Sequence, residues 1–443
     1  MSQPKNTTTL FTPLIKGDIP TKLSYIIMGL GCLCHGQIIK GLLYFLTQVL
    51  FILFLIYVGV PYLSKITTLG TVTQTRVWDE EEQIYRYVAG DNSMLILLFS
   101  VVSIVVIMLF LVVYFANVKS AYYSKTTLLQ DVRDLSDKNF HKVLLSLPIT
   151  MIVTFTILPI IFMVLIAFTN FDQNHQPPGN LFTWTGFDVF SDLFVGDPIK
   201  THTIISLLGW TFVWAIFATF LNYIFGIVLA LLINKKGIKL KKMWRTFFVF
   251  SIAVPQFVSL MLISRLLDDN GAVNTLLLNL GWISEPIGFL TDATLARITV
   301  IVVNMWIGIP HTLLIATGIL INIPEELYES AKIDGASPVR TFFSITMPYM
   351  LFVTTPYLIT QFVGNINNFN VIFLLTRGEP STLEYFRAGK TDLLVTWLYK
   401  QTVNFQNYNL ASAIGIIVFV ISSVFAIFIY KTSASSKREG EFS

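Results

Sequence analysis

Eight stretches of the 443-residue chain stay apolar for about twenty residues or more, at approximately 41–60, 94–116, 145–169, 204–233, 247–266, 297–322, 348–376 and 410–430. A helix rises ~1.5 Å per residue, so about twenty residues cross the ~30 Å hydrocarbon core of a bilayer. No water is present there to bond backbone groups, and a helix satisfies all of them internally. The runs predict an all-α polytopic membrane protein with about eight transmembrane helices. Composition agrees, with 54% hydrophobic and 13% charged residues, against about 25% charged in soluble chains. A water-soluble single-core enzyme is excluded, and so is a disordered chain.

Charge sets the orientation. Twenty of the 30 Lys and Arg fall before the first run, in 117–144, 234–246 and 323–347, and in the tail. The positive-inside rule places those segments and both termini in the cytoplasm. An even number of spans requires the same. The segment Leu23–Ile39 is short and broken by glycines, and reads as lying in the membrane interface. Cys32 and Cys34 are the only cysteines, which excludes a disulfide framework. No cleavable signal is seen, because the first long apolar run starts near residue 41. The net charge of +4 is small, and no nucleic-acid partner is expected.

All 26 Asp and Glu fall outside the eight runs. Carriers driven by protons or sodium usually hold a carboxylate within the membrane, as would an enzyme working there by acid–base catalysis. Both classes lose support. His311, beside Pro310, is the mid-span ionisable residue, and bonding between helices accounts for it. Ala388-Gly389-Lys390-Thr391 resembles the end of a P-loop, but Glu384 stands where its first glycine belongs. No nucleotide, metal or nucleophile site is visible, so no catalytic residue, metal ligand or cofactor is expected on this chain. Uphill transport would need energy from a partner.

The stretch 323–348 reads as an elbow of two short helices. Pro324 suits a first helical position, and Glu325 and Glu326 favour the positive helix end. Gly335 ends that helix, and Ser337-Pro338 caps and starts the next. Glu329, Ala331, Gly335, Ile345 and Pro348 stand at the spacing of the signature E-A-A, three residues, G, nine residues, I-x-L-P. Ser330 and Met347 depart from it. The stretch thereby resembles the coupling motif of binding-protein-dependent ABC importer permeases.

Over about 145–432 the chain is similar to the larger permease subunit of maltose/maltodextrin importers. Phe168-Thr169-Asn170-Phe171, Ala253-Val254-Pro255, Val303-Asn304-Met305-Trp306-Ile307-Gly308, Asn365-Ile366-Asn367-Asn368-Phe369 and Gly389-Lys390-Thr391-Asp392-Leu393-Leu394-Val395 follow in family order. The short loop 170–203 lacks the large outer domain of Gram-negative members and points to a Gram-positive-like form. The resemblance implies a type I ABC permease core over 144–432, preceded by an interfacial or cytoplasmic segment 1–40 and two added spans in 41–143, and followed by a cytoplasmic tail 433–443. It implies a second homologous permease, an ATPase dimer carrying ATP and Mg, an extracellular sugar-binding protein and a maltodextrin substrate. In the family Glu329, Ser330, Ala331, Gly335, Ile345 and Pro348 would belong to the elbow that docks on the ATPase.

Within the seventh run, Asn365 and Asn368 are three apart and share a face of a continuous helix. Amides both donate and accept, which suits sugar hydroxyls. Asparagine also bonds membrane helices to each other, and spacing leaves both readings open. Trp306 offers a flat face for a sugar ring, and Gly308 a close approach to the backbone. The family's substrate positions map onto Ile252, Gln256, Trp306, Ile307, Gly308, Gln361, Asn365 and Asn368. Ile252 and Gln256 depart from the side chains of better-known members. Another oligosaccharide is the neighbouring alternative.

Overall fold

The computed structural model describes residues 12–123, 129, 132, 133, 137, 140–235 and 237–432. The expected tail 433–443, the first eleven residues, and most of the linker between Tyr123 and Phe140 lie outside them. The chain forms two compact units, Met1–Gly186 and Phe187–Ser443.

Among the described residues, seven helices are long and apolar enough to cross a bilayer, and an eighth candidate is a bent pair. The first unit holds the spans Ile38–Leu63, Ser93–Tyr123 and Leu144–Ile166. Their side chains are largely exposed, as expected where lipid is the solvent. Before the first span come short helices Thr12–Lys16, Ile19–Leu23 and Leu30–Cys34. They are pinned rather than free. Asn117 accepts from Gly29 N and donates to Ser24 O, Gln48 grips Met28 and Ile26, and Met28 and Cys32 are fully buried. Between the first two spans stands a hairpin, β1 (Thr75–Asp79) antiparallel to β2 (Ile84–Val88).

The second unit holds the fourth span, Pro198–Asn234, the bent fifth, the sixth, Ala293–Ile321, the seventh, Pro338–Ile366, and the eighth, Tyr408–Lys431. Asp197 starts the fourth span and Asp292 the sixth, each accepting two backbone N–H bonds. The fifth run is not one straight helix. Lys241–Ala253 and Gln256–Leu266 meet at 88°. Pro255 has no N–H and disfavours helix at Val254, which is extended with ψ 126°. The seventh run is also interrupted. Its helix stops at Ile366, and Asn368 caps a separate helix, Phe369–Leu375.

Small residues bring the fourth and sixth spans together. A β-carbon on Gly226 would collide with Thr312, and one on Gly308 with Asn222. Two apolar clusters grow along this seam. One gathers Trp210, Trp214, Val300, Val303 and Ile372, the other Tyr223, Ile227, Leu313, Ala316 and Met350.

Candidate functional site

Between those clusters lies a polar cavity of about 260 Å³. The fourth span contributes Thr219 and Asn222, the bent fifth Gln256, the sixth Asn304 and His311, and the seventh Tyr357, Gln361 and Asn365. Of the eight residues implied by resemblance, the cavity gathers Gln256, Ile307, Gly308, Gln361, Asn365 and Asn368. Trp306 is 60% exposed and lines a separate, apolar opening with Phe225, Phe247 and Met305. Ile252 is half-buried and lines neither. The space above Gly308 is filled by Asn222.

Asn365 is held from several sides. Its Nδ2 donates to Thr219 Oγ1 at 3.0 Å, and its backbone carbonyl accepts from Trp214 Nε1 at 3.0 Å. Asn368 reaches its Oδ1 at 3.3 Å, although the two no longer share one helix. The break at Asn367 turns Asn368 into a cap that accepts from Val371 N while it stays beside the cavity. Asn222 Oδ1 and Asn304 Nδ2, which line the same cavity, are buried and, among the described residues, have no hydrogen-bond partner. A buried amide left unmatched costs about 1–3 kcal/mol. Asn222, Asn304, His311 and Tyr357 were not singled out for this wall. A lone Asn in the long apolar fourth run was the signal available for it.

The elbow is built as its residues dictate. Glu325–Ile333 is helical, and Pro324 precedes it as the cap rather than occupying its first turn. Gly335 has φ +71°. Ala336 N donates to Ala331 O at 2.9 Å and Gly335 N to Lys332 O at 3.2 Å, the paired bonds of a Schellman turn. Ser337 Oγ accepts from Arg340 N and starts Pro338–Thr341. Tyr328 and Thr346 hydroxyls bond at 3.1 Å, tying the elbow to the seventh span. Ala331 is buried and Ile345 half-buried, whereas Glu329, Ser330, Gly335 and Pro348 are exposed.

The Gly389-Lys390-Thr391-Asp392 string forms part of a cross-braced loop. Asp392 is fully buried against Lys400 Nζ at 2.6 Å and accepts from Gly389 N. Burial pushes its carboxyl up, opposed by the Lys400 charge. Lys390 pairs with Glu384, and that hydrogen bond holds the Glu384 carboxyl below its usual range.

A helical membrane bundle with a polar cavity between its spans is an architecture that solute-transport proteins use. Residues 222–438 match the family described as "Binding-protein-dependent transport system inner membrane component". The chain is 33% identical to the galactooligosaccharides transport system permease protein GanP of Bacillus subtilis, over 94% of this chain and 97% of that one. It is 34% identical to the maltodextrin transport system permease protein MdxF of the same organism, over 94% and 95%. The maltose/maltodextrin transport system permease protein MalF of Escherichia coli is 34% identical, over 58% of this chain and 50% of that one. A chain of a solved bacterial ABC transporter that imports the polysaccharide alginate superposes with a TM-score of 0.56 at 25% identity, covering 70% of this chain and 98% of that one. The chain belongs to the family of binding-protein-dependent transport system inner membrane components, the permeases of ABC importers.

Proposed function

We propose that this permease carries maltodextrins, and that the 260 Å³ cavity is where their glucose units bind. The carrying observation is the pair of buried, unmatched amide atoms on Asn222 and Asn304, in the cavity that also holds the Asn365–Asn368 pair. A ligand with closely spaced hydroxyls both donates and accepts, and so suits both pairs. The relatives named for maltodextrin transport support this substrate. Just below the about 300–1,000 Å³ usual for ligand sites, the cavity suits one end of a chain rather than its whole length.

The chain works as one half of a pathway. A second homologous permease supplies the other half, and a dimeric ATPase binding ATP and Mg supplies the energy. An extracellular sugar-binding protein delivers the substrate. The chain holds no catalytic or metal site of its own in this reading. The elbow around Gly335 takes up motion from the ATPase, and both termini face the cytoplasm. The stretch 144–432 is the translocation core, with 1–40 and two added spans before it.

Uptake of radiolabelled maltotriose by cells lacking this permease, with and without its restoration, tests the reading. Restored uptake that unlabelled maltotriose suppresses and a galactooligosaccharide does not is the expected result. No restored maltotriose uptake, with uptake of a labelled galactooligosaccharide restored instead, would move the substrate to the galactooligosaccharides named for GanP. Sugar accumulation by the chain alone in vesicles would overturn its dependence on an ATPase.

A further inference from the structure

Among the described residues, the strands of the hairpin between the first two spans pack chiefly on each other. Nine of its ten strand residues are exposed, and Asp79 is half-buried. A two-stranded ribbon with both faces open is marginal in water. Opposed residues share a face. The register pairs Arg76 with Tyr87 and Trp78 with Tyr85, so one face gathers three aromatics and a guanidinium. Trp78 and Tyr85 meet edge to face at 4.8 Å, and the Arg76 guanidinium lies 4.3 Å from the Tyr85 ring centre. Trp78 is 43%, Tyr85 54% and Tyr87 66% exposed.

The root of the hairpin is fixed. Asp91 accepts from Thr71 N at 2.9 Å and Val72 N at 3.1 Å, and pairs with Lys65 at 2.6 Å. Asn92 then caps the second span at Ser93. Four residues separate Val88 from Ser93, a reach of at most about 17 Å over the five steps between them. The polar interface of a bilayer is itself about 5–8 Å deep on each side. Trp, Tyr and Arg are the residues that settle in it.

We propose that the Arg76–Trp78–Tyr85–Tyr87 face lies on the bilayer interface beside the first two spans, with lipid headgroups and upper acyl carbons as its partner. The short tether and the locked root hold the hairpin near the bilayer. Its charge agrees with that placement. Asp79 and Glu82 both pair with Arg86 within the hairpin, which offsets one of their two charges. Glu80 and Glu81 sit at the turn, the part left in water. The hairpin thereby sets the depth of the two added spans.

Spin labels on a cysteine-free background, with Cys32 and Cys34 replaced by Ala, test this. The full transporter carries the label at Tyr87→Cys or at Glu81→Cys in phosphatidylethanolamine–phosphatidylglycerol vesicles. Sugar uptake by each variant confirms assembly. The collision ratio of oxygen to a water-soluble nickel chelate is expected to be about threefold or more higher at 87 than at 81. Equal ratios would place the face in water and overturn the proposal. Protection at 87 that appears only when the sugar-binding protein is added would also overturn it, in favour of a protein-docking face. Should Tyr87→Cys fail to assemble, Tyr85→Cys gives the same reading from the same face.

Discussion

The side-chain amide of Asn222 occupies the notch that Gly308 leaves in the sixth span, so a β-carbon at 308 would fall within that amide. A glycine that looks from the sequence like an opening for substrate is also a contact between helices. Gly308→Ala is expected to force the fourth and sixth spans apart at the cavity, at about 1–3 kcal/mol. The assembled transporter should lose thermal stability and uptake together. Gly318→Ala serves as control, since nothing lies within 4 Å of its β-carbon position.

Gly335 poses a different demand. A β-carbon there meets nothing within 4 Å, yet φ is +71°. The strain of an L side chain is conformational, about 1–2 kcal/mol, and asparagine and aspartate bear it better than other residues. Gly335→Asp also adds a charge at the exposed elbow, and is expected to abolish uptake while sugar binding to the extracellular receptor persists. Gly335→Asn should retain several-fold more uptake than Gly335→Val. Equal loss in both variants would mean that space at the ATPase interface, not the turn, decides the outcome.

The spans were legible because lipid imposes a length and a polarity on every crossing helix. The elbow was legible because proline, serine and glycine act locally. The 88° break at Pro255 was not, since mean hydropathy registers apolar length and not backbone direction. Asn368 illustrates the same limit. Read as part of one helix, it shares a face with Asn365, whereas the chain breaks between them and Asn368 becomes a cap. The wall with Asn222 and Asn304 was missed for another reason. It joins single polar residues from separate spans, and a tertiary seam carries no sequence period. His311 and Tyr357 joined it only through packing.

The Asp91 root gives a pH prediction. Lys65 and the Thr71 and Val72 amides bring its carboxyl from the ordinary 3.8 to about 2. A depressed carboxyl stabilises the fold fully above the unfolded value and loses that contribution as pH falls toward the folded one. Pepsin nicking between residues 72 and 90 should therefore accelerate as pH drops from about 4 to about 2, beyond the pepsin rate on an unstructured peptide. Asp91→Asn should be nicked at pH 4 as fast as the native chain is near the bottom of that window. A flat profile would mean that the hairpin root is held by something else.

Asn365 does two jobs at once, and they can be separated. It bonds Thr219 across the seam and faces the cavity. Thr219→Val keeps the shape and removes only the bond between helices, a loss of roughly 1 kcal/mol. Asn365→Ala removes that bond and the amide offered to a sugar. With a sugar contact, uptake should fall about tenfold further in Asn365→Ala than in Thr219→Val at matched stability of the complex. The double variant should then transport no worse than Asn365→Ala alone. Equal deficits in the two single variants would assign Asn365 to packing, and the sugar site would have to rest on Gln361, Asn222 and Asn304.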